Sequence, residues 1–141
     1  NDLSGVKYNM LHKFLSPKEL IKSFQIKRPI HPPYFEDTVN ILKQARFVSE
    51  DTDYRLFIEL FTNKEMKTPI CWIDDKTSLY TFIKKLVESG KIQDSKNEHW
   101  KITASFFTLK GASMTQSDFP NLKETKSRAK LTRIDDFIKR L

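Results

Sequence analysis

Apolar positions recur with helical spacing through most of this chain, and the pattern is sharpest from Ile70 to Ile92. There Leu79, Phe82, Ile83, Leu86 and Val87 fall at i, i+3, i+4, i+7 and i+8, one stripe of a 3.6-period helix. Ile70, Trp72 and Ile73 form an apolar lead-in. Asp74 or Asp75 can cap the helix, because a short carboxylate accepts from exposed first-turn N–H groups. Gly90 supplies the stop, since a residue without Cβ takes the left-handed conformation past a helix end at little cost. The reading is a core helix with the rest of the chain packed around it.

Upstream, Val6, Met10, Leu11, Phe14 and Leu15 predict a first helix. Ser16-Pro17-Lys18-Glu19 then opens a second as a capping box, with Leu20, Ile21 and Phe24 on its apolar face. Pro29, Pro32 and Pro33 predict a connector and hinge, because proline lacks the helix donor. Phe35, Val39, Leu42 and Ala45 describe a third helix, and Leu56, Phe57, Leu60 and Phe61 a fourth. Beyond Gly90, Trp100, Thr103, Ala104 and Phe107 share a face in a helix expected to stop at Gly111. The last helix carries Leu131, Ile134, Phe137, Ile138 and Leu141. Tight hairpins favour Asn-Gly turns, and no such dipeptide occurs. The fold class predicted is mainly α: a compact single-domain bundle of about seven helices over residues 1–141, with at most one small β-ribbon. A subdivision into 1–65 and 66–141 stays open.

Length and composition agree with one domain. The chain has 141 residues, and eleven Phe supply a core. No apolar run approaches the roughly 18 residues of a membrane span. The chain opens on Asn1 rather than Met, so a missing leader carries no weight. Cys71 is the single cysteine and cannot form an internal disulfide, which points to a reducing, cytoplasmic setting. Between Ile70 and Trp72 it reads as a buried inert thiol.

Charge changes the picture more. The net charge is +7, and from Asn121 to Leu141 seven cations stand against three acids, leaving +4 in that stretch alone. A basic terminal helix suits a polyanion. Lys126, Arg133 and Arg140 are spaced seven apart as a row, extended by Lys130, with Lys123, Arg128 and Lys139 in support. Lys84 and Lys85, on the polar side of the central helix with Thr77 and Thr81, form a second candidate surface.

The search for chemistry returns little. His12, His31 and His99 have no partners at a metal-site spacing, so no metal or other cofactor is expected. Asp74-Asp75 and Asp135-Asp136 look like acid pairs, but sequence neighbours do not face one another on a helix. Three glycines leave little from which to build a phosphate-cradling loop, and no nucleophile motif occurs. An enzyme is not expected. Trp100, Phe106 and Phe107 could stack on single-stranded bases, but their spacing fits core packing better.

At the central stretch, Trp72, Lys76, Leu79, Leu86 and Gly90 resemble the RteC family, regulators linked to conjugative mobile elements of gut bacteria. Phe106 to Gly111 and the basic end with Ile134, Phe137 and Ile138 are similar in kind, so the resemblance covers roughly the C-terminal half. It departs at Asp74-Asp75, where a small residue or glycine is expected between the Trp and the Lys. The resemblance implies a mostly helical protein with a C-terminal helix-turn-helix or winged-helix-like half, acting as a DNA-binding transcription regulator.

The leading expectation is thus a regulatory protein that holds double-stranded DNA by its phosphates, either alone or as a homodimer. The alternative is a protein–protein interaction module without a nucleic-acid role. Its motive is the density of Phe, with Phe57 and Phe61, or Phe106 and Phe107, as a candidate apolar patch.

Overall fold

The computed structural model describes residues 23–62 and 68–141. The two helices predicted from Val6 to Phe24 fall almost wholly outside that range. Five α-helices and a three-stranded mixed sheet make up the described fold, a small α/β domain in place of the predicted seven-helix bundle.

Helix α1 spans Pro32–Gln44 and α2 spans Arg55–Phe61. The prolines expected to keep the chain extended instead open α1: in a first turn a missing N–H costs nothing and the fixed φ is already helical. Phe35, Thr38, Val39 and Leu42 bury one face of α1. Its C-terminus closes without glycine. Arg46 takes φ +62°, its N–H donates to the Lys43 carbonyl, and the Phe47 N–H donates to the Leu42 carbonyl. That is the Schellman arrangement with arginine where glycine is the usual residue.

Strand β1 (Ile70–Trp72) is the apolar lead-in, followed by α3 (Lys76–Glu88) and α4 (His99–Phe106). Asp75 is the N-cap of α3, and its Oδ1 accepts from the Ser78 N–H at 2.8 Å. Leu79, Phe82, Ile83 and Leu86 are buried, and Gly90 takes φ +77° just past the end, as predicted. The α4 prediction needs correcting. The helix stops at Phe106, Phe107 turns extended, and β2 (Phe107–Leu109) pairs in parallel with β1. Lys110 and Gly111, at φ +53° and +88°, then turn the chain into β3 (Ala112–Ser113), antiparallel to β2. Two left-handed residues match the twist of a two-residue hairpin, so Lys-Gly makes the turn that the lack of an Asn-Gly dipeptide argues against. A short 3₁₀ turn (Gln116–Asp118) leads to α5, Arg128–Lys139, which buries Ile134, Phe137 and Ile138.

One hydrophobic cluster runs from Phe24 to Leu141 and draws on both halves of the chain. Trp72 sits at its centre, fully buried. Phe47 stacks on it at 5.0 Å and 11°, Phe82 at 5.3 Å and 29°, and Phe107 meets it edge-on at 6.1 Å. Its indole N–H donates to Ser78 Oγ at 2.9 Å, and that hydroxyl donates to the Asp75 carbonyl at 2.9 Å. The strand is thereby fastened to the first turn of α3.

Ser78→Ala is expected to destabilise the fold by about 1–3 kcal/mol, the cost of a buried donor left unpaired. In the Trp72→Phe background the same change should cost far less. Urea unfolding of the four proteins as a double-mutant cycle measures the difference; equal costs in both backgrounds would remove the relay from the account.

Candidate nucleic-acid interface

The nine cations predicted as contacts divide into two groups. Lys84, Lys85 and Lys130 are held by carboxylates. Lys84 Nζ lies 2.8 Å from both Glu88 and Glu124, and Lys85 lies 3.4 Å from Asp135. Lys130 lies 2.7 Å from Asp74 and 3.4 Å from Asp75. The enclosed Asp74 Oδ2 makes no hydrogen bond of good geometry, so the Lys130 charge is its partner.

Four groups, Lys130, Lys84, Glu124 and Asp75, shift in the direction their partners require. The close Asp74 carboxylate, more than the farther Asp75, raises Lys130. Lys84 is raised by Glu124 and Glu88, and Glu124 is lowered by Lys84. Burial alone would raise Asp75, but the Ser78 N–H and the Lys130 ammonium outweigh it and hold the carboxyl below the ordinary 3.8.

Lys123, Lys126, Arg128, Arg133, Lys139 and Arg140 are exposed, and among the described residues none makes a salt bridge. Arg140 lies over the Tyr34 ring, 6.0 Å from its centroid. The predicted row needs redrawing. Helix α5 begins at Arg128, so Lys126 precedes the N-cap Ser127, and Lys130 turns inward to the two aspartates.

Local structure places the exposed group. The Thr125 N–H donates to the buried Thr81 Oγ1 at 2.8 Å, and Glu124 is tied to Lys84, so residues 124 and 125 are pinned to α3. Lys123 and Lys126 flank that anchor. Ser127 Oγ caps α5 by accepting from the Lys130 N–H. The first turn of α5 holds no acid and carries Arg128 instead, at the end where the helix dipole is already positive. Cations there weaken the helix and strengthen its pull on an anion.

Sequence reasoning missed Lys43 and Arg46. With Asn40, Gln44, Glu50 and Ile73 they line an open cleft of about 520 Å³ at the end of α1. A smaller hollow of about 160 Å³ lies between that end and α5, lined by Ala45, Phe47, Ala129, Lys130 and Arg133. The one available signal was a basic residue in the last turn of an amphipathic helix and another just past its end, which any helix uses to complement its own dipole.

The aromatic alternatives are spent in packing. Tyr80 and Phe119 both stack on Trp100, at 5.1 and 4.9 Å with near-parallel planes. Phe57, Phe61, Phe106 and Phe107, the suggested apolar patch, are all buried. His99 is half-buried beside Trp100, and burial lowers its pKa. Among the described residues no group of His, Cys, Asp and Glu could hold a metal ion, and no helix is long and apolar enough to cross a membrane. Comparison with protein-family models, curated proteins and solved structures returns no match for this chain.

Lys130→Gln is expected to cost roughly 1–3 kcal/mol, because it leaves an enclosed carboxylate oxygen without a cation. Lys126→Gln should change stability by less than about 0.5 kcal/mol. The pH dependence has a definite sign. A carboxylate with a depressed native pKa adds stability above its unfolded pKa and loses it as pH falls through the native one. Wild-type stability should therefore drop below about pH 4, and the drop should be shallower in Lys130→Gln, where Asp75 has lost its cation. Urea midpoints between neutral and acid pH check this; indistinguishable acid limbs for the two variants would contradict the pairing.

Proposed function

We propose that this chain is a DNA-binding regulatory module, not an enzyme, and that it holds nucleic-acid phosphates on cations gathered around the start of α5. One observation carries the reading: of the nine cations predicted as contacts, two on α3 and seven on α5 or beside it, six stay exposed and free of carboxylates among the described residues. Two of them, Lys126 and Arg128, lie at or just before the end of α5 where positive charge works against the helix. Charge kept at a cost to stability is what a binding surface looks like.

The roles separate accordingly. Lys126, Arg128 and Arg133 are the principal phosphate contacts, with Lys123 before the helix and Lys139 and Arg140 at its far end in support. Lys84, Lys85 and Lys130 hold the framework. Such contacts fix position and carry no base readout. The RteC resemblance points the same way, but its residues are structural here: Trp72, Leu79 and Leu86 are core, Gly90 is a helix stop, and Lys76 faces Asp118 at 3.5 Å.

The test is binding to a random duplex by fluorescence anisotropy across a salt series. Wild type should lose affinity steeply as salt rises. A Lys126→Gln, Arg128→Gln, Arg133→Gln triple variant should flatten the slope by about 2–3, near 0.9 per lost phosphate contact. Lys84→Gln with Lys85→Gln should leave the slope unchanged. An unaltered slope in the triple variant, or no binding by wild type at low salt, would overturn the reading.

A further inference from the structure

The cleft at the C-terminal end of α1 is separate from the α5 cations, and the phosphate reading does not use it. Its volume of about 520 Å³ falls in the range of small-molecule sites, and its lining is mixed in a particular way. Asn40, Lys43 and Gln44 share the solvent-facing side of the last α1 turns, opposite the buried Phe35, Val39 and Leu42. Glu50 and Arg46 add a carboxylate and a guanidinium, and Ile73, 39% exposed, is an apolar wall.

The backbone of this cleft is set by the core. Arg46 and Ile73 flank the two stacked rings, Phe47 and Trp72, in sequence, and the Ile73 N–H donates to the Phe47 carbonyl at 2.8 Å. The positions of both walls are therefore fixed before anything binds. Arg46 also sits in a left-handed conformation that glycine would take with less strain.

Electrostatics then choose the ligand. Two cations line the cleft together with Glu50 and the negative end of the α1 dipole, so the net field is weak and a bare phosphate gains little. Amides, a carboxylate and a guanidinium are the side chains that pair with base edges, and an apolar wall can take a base face. We infer that this cleft binds one unpaired nucleotide. Asn40, Gln44 and Glu50 meet the edge of its base, Ile73 lies against the ring, and Lys43 with Arg46 meets its phosphate. A concave site cannot enter a duplex groove, but it can accept a free nucleotide or a base splayed from a strand.

The experiment is a ¹⁵N–¹H correlation titration of the full chain with AMP, GMP, CMP and UMP, with a short single-stranded DNA, and with inorganic phosphate. Saturable shifts confined to residues 40–50 and Ile73 are expected with at least one nucleotide or with the strand. A response to mononucleotides assigns a free nucleotide as ligand; a response to the strand alone assigns a strand-held base. Arg46→Gly should weaken binding about tenfold, a loss of one charge-assisted contact, while raising the urea midpoint, so the loss cannot come from unfolding. Asn40→Ala with Gln44→Ala should abolish discrimination between bases. The inference is overturned if no nucleotide or strand moves these amides, if phosphate alone gives the same shifts at the same affinity, or if Arg46→Gly binds like wild type. Duplex binding through α5 can stand or fall independently of each of these results.

Discussion

The fold depends on how one buried indole N–H is satisfied. Trp72 brings the largest side chain of the core and also a donor that cannot be left unpaired there. Ser78 accepts from it and donates its own O–H to the Asp75 carbonyl, while Asp75 caps the helix that Ser78 belongs to. Asp74 and Asp75 together hold Lys130 of α5. A short run of polar contacts thus links strand, central helix and last helix, with every member bonded or charge-paired. A satisfied network of this kind fixes one arrangement, where aromatic packing alone would tolerate several.

The same device sorts the basic residues. A lysine opposite a carboxylate is part of the framework, and its charge is spent there. Lys130 was placed among the contacts by its spacing from Lys126, and the structure turns it to the two aspartates that sequence reading had assigned to capping. Both statements hold for Asp75, which caps α3 and faces Lys130 at once. Arg28 and Lys91 are further cations put to internal use, each donating to the Leu141 carbonyl at the end of α5. What stays exposed at the start of α5 has no such employment, and that contrast supports the functional reading more than net charge does.

The amphipathic stripes of α1, α3 and α5 were legible in the sequence because each repeats over three turns or more, with Asp75 and Gly90 marking both ends of α3. The sheet was not. Three residues at Ile70–Trp72 and three at Phe107–Leu109 are too few to display a period of two, and a short apolar run cannot be told from a buried helix by periodicity. Thr103 and Phe107 also sit four apart, so the helix pattern ran on into the strand. The hairpin was hidden because its first turn residue is Lys110, which adopts a left-handed φ without advertising it. Arg46 was hidden for the same reason. The partners of Lys130 lie 55 and 56 residues away in the chain, and no local pattern reports such a distance.

Lysine reactivity tests this division of charges most directly. Acetylation rates of each ε-amino group, read by mass spectrometry with and without random duplex DNA, separate framework from contact. Lys84 and Lys130 should react slowly in both states, and Lys123, Lys126 and Lys139 should react fast in the free chain and be protected by DNA. Fast acetylation of Lys130 in the free chain, or equal rates at Lys126 with and without DNA, would contradict the account.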